Sequence, residues 1–340
     1  ASVTGPGSGT GQIGNFINKV LTYEKNPPLT NYAKKAAFFG FDLDSSTQAE
    51  QCKISIDTHY IPNNWTMTKV YDSDSGNHET NVIAAMNQGQ NLLNHADHCN
   101  SDYMGTGCIN HGWGIDDGTM NALTNGDKQG ILYSMGCDPA AYDSSECIAE
   151  HFVRNSNGGG MAFIGNSRYG FYNPGYYDTL SMKYDQCIFR SIFSRGFYHL
   201  GTAVMDHKNI GYQNDDYYKY CFTELTLLGD PELPIWTDDP GTLIVNYPAE
   251  LPVGTSSFSV TVTNGDNPVE NAVVCLWKGT EVYLVGTTDA DGTVELTPSP
   301  TTPGPMSVTV TSHNYLHSEN VANAVIVNDT APEAPAIHRS

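Results

Sequence analysis

Apolar residues first recur at helical spacing. Ile13, Phe16, Ile17, Val20 and Leu21 in IGNFINKVLTYEK share one face of a helix. The pattern then changes. AAFFGFD (36–42) is a short unbroken apolar run, the composition of a strand covered on both faces. Residues 67–72 read as a second strand, and 78–89 as a helix stopped by Gly89. QNLLNH is a third strand and residues 130–137 a fourth. SSECIAEHFVRN reads as a helix capped by Ser144 or Ser145, GGGMAFIGN as a fifth strand, and YDTLSMKYDQCIFRSIFSRG as a long helix. Strands alternating with helices predict an α/β fold, a mostly parallel sheet with helices on both faces.

After LLGDPELPIWTDDPG (227–241) the period shortens to two. SSFSVTVTNG, AVVCLWKG, EVYLVGTTD, GTVELTP, PMSVTVTSHN and NAVIVND are separated by Gly, Asn, Asp and Pro turns. Such spacing predicts a β-sandwich of about seven strands, with DADG (289–292) as a hairpin turn. The expected division is an α/β unit over 1–240, a sandwich over 241–330, and a Pro/Ala-rich tail or linker over 331–340.

Charge narrows the function classes. Sixteen basic against 37 acidic residues leave a formal charge of −21, which repels nucleic acid and anionic membranes. No run of 18 apolar residues offers a membrane-spanning helix. The opening ASVTGPGSGTG resembles the middle of a loop more than a signal peptide, so a piece of a longer precursor is expected. Eight cysteines, at 52, 99, 108, 137, 147, 187, 221 and 275, include no C-x-x-C pair. That argues against a zinc ribbon and leaves room for one surface bridge, for instance Cys99 with Cys108.

Sites in parallel α/β sheets form beyond the carboxyl ends of the strands. Two strands here end in reactive groups: NLLNHADH delivers His95 and His98, and ILYSMGC delivers Cys137 behind Gly136. A histidine from one strand end can deprotonate a cysteine on another, and the thiolate can attack a carbonyl carbon. Backbone N–H groups after His98 and at Cys137 would hold the oxyanion. The ordinary alternative is a small core cysteine with hydrogen-bonded loop histidines. Metal binding by His95, Asp97, His98 and Cys99 is a poorer rival, because neighbours in an extended segment cannot all face one ion.

LLNHADHCNSDYMGTG, ALTNGDKQGILYSMGCDPAAYDSSECIAEHF, GGGMAFIGNSRYGFY and LTLLGDPELPIWT together resemble the gingipain family of cysteine peptidases, peptidase family C25, of the caspase-like clan. The likeness runs from about Ile13 to Thr237. It is carried most by Leu-Thr-Asn at 123–125, twelve residues before Cys137, and by the helix bearing Cys147, Ala149 and Glu150. It implies a caspase-like sheet followed by an immunoglobulin-like domain. It also implies Cys137 as nucleophile, His98 as general base rather than His111, and the Cys99 and Cys137 N–H groups as oxyanion hole.

Two departures stand out. Asp97 and Cys99 flank the histidine where the family has glycines, and the acidic residue that steadies the histidine is expected upstream of the first helix. The resemblance further implies a self-processed, secreted or cell-surface endopeptidase acting on peptide substrates and paired with an upstream chain of the same precursor. Asn166, Ser167, Tyr169 and Tyr172 would wall the substrate pocket. The acidic group that helps Arg-specific members falls near Gln12, so specificity for Arg or Lys does not transfer. Structural Ca2+ is expected, with Asp72, Asp74 and Glu79, Asp116 and Asp117, or Asp215 and Asp216 as candidate ligands. The competing readings are a catalytically inactive binding or adhesion protein and a metal-dependent hydrolase.

Overall fold

The structure, a computed structural model, describes residues 9–107, 114–143, 146–319 and 325–328. The chain divides into two compact units between Asp239 and Pro240.

The first unit runs α1 (Gly9–Lys25), β1 (Lys35–Gly40), β2 (Asp42–Asp44), β3 (Thr47–Gln48), α2 (Ala49–His59), β4 (Thr66–Tyr71), α3 (His78–Gln88) and β5 (Leu92–Ala96). It continues through β6 (Cys99–Asn100), β7 (Tyr103–Met104), β8 (Ile115–Asp116), α4 (Asp117–Asn121), β9 (Gly130–Ser134), α5 (Ile148–Arg154) and β10 (Gly160–Asn166). α6 (Leu180–Phe193), α7 (Leu200–Gly211), α8 (Asp216–Glu224) and β11 (Leu225–Leu228) complete it. Six strands form one sheet in the order β11-β10-β9-β5-β1-β4, parallel except for the β10–β11 pair.

Alternation along each strand explains the layers. Ala36 and Phe38 of β1, Leu92 of β5 and Ile131 and Tyr133 of β9 enter one core, with Ile56 of α2, Phe189 of α6 and Ala203 of α7. Ala37, Phe39, Leu93 and Leu132 enter the opposite core, with Val82 of α3 and Phe152 of α5. The unbroken apolar runs are therefore strands buried on both faces.

The sequence reading missed α2, α7, α8 and β11, together with the short α4 and the two- and three-residue strands β2, β3, β6, β7 and β8. In α2 the alternation of Lys53, Ile54, Ser55 and Ile56 imitates a strand, and tertiary packing overrides it. Lys53 is fully buried there, paired with Asp185 of α6 and bonded to Asn94 of β5. Asn94 in turn donates to Asp185. The cap of α5 also differs from expectation. Ser144 and Ser145 lie outside the described residues; Cys147 is the N-cap, and its backbone N–H donates to Glu150 Oε2 at 2.9 Å.

In the second unit, Ile244–Asn246, Phe258–Asn264, Asn267–Pro268 and Thr293–Leu296 form one antiparallel sheet. Glu250–Pro252, Val325–Asn328, Gly304–Thr311, Val273–Lys278 and Val282–Thr287 form another, with Ser318–Glu319 joined to Gly304–Thr311. Only Glu250–Pro252 and Val325–Asn328 run parallel among these described pairs. Phe258, Val260 and Val262 meet Val274, Leu276, Met306 and Val308 in a shared core. The DADG turn joins strands of opposite sheets, since Val282–Thr287 pairs with Val273–Lys278 and Thr293–Leu296 with Phe258–Asn264. It is therefore not the expected hairpin.

Removing one member of the Lys53–Asp185 pair leaves a buried charge uncompensated. Asp185→Ala should lower unfolding free energy by about 3–5 kcal/mol in urea titrations, and Lys53→Met combined with Asp185→Leu should recover most of it.

Candidate active site

β5 and β9 are neighbours in parallel register, with His95 opposite Ser134. The ladder continues one step past the strands, where Met135 N donates to His95 O at 3.2 Å. His98 is separated from Cys137 by the same 39 residues that separate His95 from Ser134. Both predicted reactive residues thus follow the ends of adjacent parallel strands, and between them Gly136 lies against Asp97 and Cys99.

His98 is exposed, and its Nε2 lies 2.8 Å from Leu43 O. A carbonyl only accepts, so Nε2 carries the proton and Nδ1 is left as the basic nitrogen. Among the described residues the ring's hydrogen-bond partner comes from β2, where Leu43 is flanked by Asp42 and Asp44. The stretch FDLDSS directly after a buried strand was the available signal. Asp42 sits close to Asp72, Glu50 and Asp44; burial first, then these carboxylates, push it up to about 6.

Cys137 is half-buried, and its Sγ–H donates to Gly170 O at 3.7 Å. Burial pushes the thiol up, a backbone hydrogen bond at Gly170 that favours the thiolate opposes this, and Asp138 and Glu224 add to it. Among the described residues the Cys137 N–H meets no acceptor, as an oxyanion donor requires. Gly136 is required by close approach: a Cβ there would stand 2.2 Å from Cys99 Sγ and 2.6 Å from Asp97 O.

Beneath this surface lies a buried polar layer. His95 is fully buried, with Nε2 donating to Gly105 O at 2.7 Å and Nδ1 accepting from Ser134 Oγ at 3.0 Å. Burial lowers its pKa to about 3, so it stays neutral. Asp97 is also buried; its Oδ1 accepts from His98 N at 2.6 Å and its Oδ2 from Gly107 N at 2.7 Å. Asp97 thus fixes the backbone that presents His98. Cys99 is a free thiol, 3.6 Å from Ser134 Oγ and 3.9 Å from His95 Nδ1, so it forms no bridge. Cys108 and His111 lie outside the described residues.

The expected pocket wall divides. Asn166 is buried, and its Nδ2 donates to Met135 O at 3.0 Å and Gly136 O at 2.8 Å. It pins the end of β9 instead of facing substrate. Ser167 is spent on Glu224 O, through N at 2.8 Å and Oγ at 3.0 Å. Tyr169 is exposed, and Tyr172 stands edge-on to His98 with ring centroids 6.3 Å apart.

The calcium candidates do not assemble. Asp74 accepts from Tyr71 N at 2.8 Å, Asp72 lies 3.6 Å from His78 Nδ1, and Glu79 sits in the first turn of α3. Asp116 caps α4 through Thr119 N at 2.8 Å, Asp117 faces His151 Nε2 at 3.4 Å, and Asp215 caps α8 through Tyr217 N. Asp216 is paired with Lys219. Among the described residues no group of three or more His, Cys, Asp or Glu side chains is placed to hold a metal ion.

A model of peptidase family C25 matches residues 6–236. Lys-gingipain W83 of Porphyromonas gingivalis is 25% identical over 352 residues, covering 95% of this chain and 19% of the relative. Lys-gingipain from another strain of the species (ATCC 33277) is 25% identical over 333 residues, covering 90% and 18%. The chain spans about a fifth of the length of these curated relatives. The crystal structure of the Arg-specific cysteine proteinase gingipain R (RgpB) aligns with a TM-score of 0.76 at 18% identity, over 95% of this chain and 74% of that one. A complex of RgpB pro- and mature domains aligns at 0.74 and 18%, over 95% and 75%. At such identities the structural likeness establishes the fold.

Asp97 gives the site a pH dependence with a definite sign. Burial, partly offset by the two N–H donors, raises it to about 6, whereas an unfolded aspartate titrates near ~3.9. The folded state therefore holds the extra proton between these values. Stability falls as pH rises through that window and levels off above it. Asp97→Asn lacks this slope. The stability difference between wild type and variant should change by about 2–3 kcal/mol from pH 4 to pH 7 in urea titrations; a constant difference contradicts the assignment.

Proposed function

The chain belongs to peptidase family C25, and from that premise we propose that it is the catalytic part of a cysteine endopeptidase. What supports the reading is that His98 and Cys137 follow the ends of the adjacent parallel strands β5 and β9. Peptide enters the cleft, and His98 Nδ1 takes the Cys137 Sγ proton as sulfur attacks the scissile carbonyl carbon. The Cys137 and Cys99 N–H groups receive the oxyanion. The tetrahedral species collapses, the C–N bond breaks, and His98 returns the proton to the leaving amine. Water, activated by the same imidazole, then hydrolyses the thioester and frees the thiol.

The hairpin β2–β3 supports the base, since Leu43 O fixes which nitrogen is free. Asn166 and Gly136 support the nucleophile by fixing the turn that carries it. We read the second unit as immunoglobulin-like, on its two packed sheets. The acidic surface and the P. gingivalis relatives support a secreted or cell-surface protein. Among the described residues no helix is long and apolar enough to cross a membrane. An upstream chain of the same precursor is the proposed partner; RgpB itself has been solved as a complex of pro- and mature domains.

Cys137→Ala and His98→Ala should each lower kcat/KM for peptide reporters by at least about 1000-fold, ~4 kcal/mol of barrier, with the thermal midpoint within a few degrees of wild type. Cleavage persisting in a folded Cys137→Ala protein refutes the proposal.

A further inference from the structure

The segment joining β10 to α6 crosses the whole cleft. It leaves β10 at Asn166 and lies so flat on the end of β9 that a Cβ at Gly170 would stand 2.3 Å from Met135 O. Phe171 is anchored, its N–H donating to Ser181 Oγ at 2.9 Å and its carbonyl accepting from Ser181 N at 3.0 Å. Beyond that anchor the chain projects as a tongue. Tyr172 stands against the His98 ring at the end of β5, and its hydroxyl bonds to the Asp44 carboxylate. Gly175, at φ 81°, donates its N–H to Thr47 Oγ1 at 2.8 Å. Thr47 passes its own hydrogen to Asp44 Oδ2 at 3.1 Å.

In sheet order these contacts step from β10 over β9 and β5 to the hairpin that follows β1. Three strand spacings are about 14 Å, a distance that the nine residues from Asn166 to Gly175 span without stretching. Beyond Tyr172, which packs against the core, few apolar contacts hold the tongue. Residues 173–178 are exposed, with Tyr176 and Tyr177 turned to solvent. Its tip rests on one polar latch, beside the link from Gln186 Nε2 to Tyr177 O at 2.9 Å. Segments with few buried contacts open at low free-energy cost.

The geometry points to residues 172–178 as a gate over His98, latched by Thr47 and Asp44 of the β2–β3 hairpin, which a peptide must release before it reaches Cys137. This rests on the peptidase reading of the site. An extended peptide lying over both strand ends would occupy the path that the tongue now takes.

The test compares two thiol reagents on the whole chain, N-ethylmaleimide and a maleimide carried on a hexapeptide, following modification of Cys137 by peptide mass spectrometry. Thr47→Val keeps the shape of a buried side chain and removes the acceptor of Gly175 N–H; Tyr172→Phe keeps the ring against His98 and removes the bond to Asp44. Each variant should speed the hexapeptide reagent at Cys137 about tenfold while the small reagent changes less than about twofold, one latch bond being worth roughly a factor of ten. Unchanged rates with both reagents overturn the gate, as does an equal rise with both, which signifies general loosening. Neither reagent needs catalysis. Failure of the peptidase reading therefore shows separately, as reporter cleavage that survives Cys137→Ala.

Discussion

Parallel pairing of β5 with β9 sets the geometry on which the site depends. In a parallel ladder the two strands advance together, so residues one spacing apart in one strand stay level with their partners in the next. His95 opposite Ser134 fixes the register of the two strand ends that His98 and Cys137 follow. A slip of one residue would turn Leu92 and Leu93 to the wrong cores and carry His98 away with them. The side-chain bond between His95 and Ser134 reinforces the register from within the sheet. Removing Gly136's close contact with Cys99 would act on the same joint.

That joint is built from costly parts. Neutral His95, the raised carboxyl of Asp97 and the Lys53–Asp185–Asn94 cluster all sit where apolar side chains would be easier to bury. Each is fully bonded to a different element: β7's exit at Gly105, the loop at Gly107, α2 and α6. Polar groups satisfied only in one arrangement penalise every other arrangement. Stability is exchanged for a defined strand end, and the strand end is where the chemistry lies.

The parallel sheet was legible because its strands are buried on both faces and read as apolar runs between Gly and Asn signals. Cys137 and His98 were legible because reactive residues directly follow two of those runs. Less visible was everything fixed by contacts distant in sequence. α2 was hidden because Lys53 breaks its apolar face, and only Asp185, 132 residues away, accounts for it. Asn166 and Ser167 were assigned to the substrate wall from their position, but their hydrogen bonds point inward. The Leu43 carbonyl is backbone, and only the FDLDSS stretch around it offers a signal. Asp74, Asp116 and Asp215 serve turns and helix caps, uses that composition cannot distinguish from ion binding.

The most direct test of the shared cleft is covalent capture. A peptidyl chloromethyl ketone should alkylate Cys137 alone among the eight cysteines, with loss of chloride, and peptide mass spectrometry should place the thioether there. Replacement of His98 by alanine should abolish the reaction while leaving the fold intact. Alkylation at another cysteine, or at Cys137 with undiminished rate when His98 is absent, would contradict the pairing of these two residues.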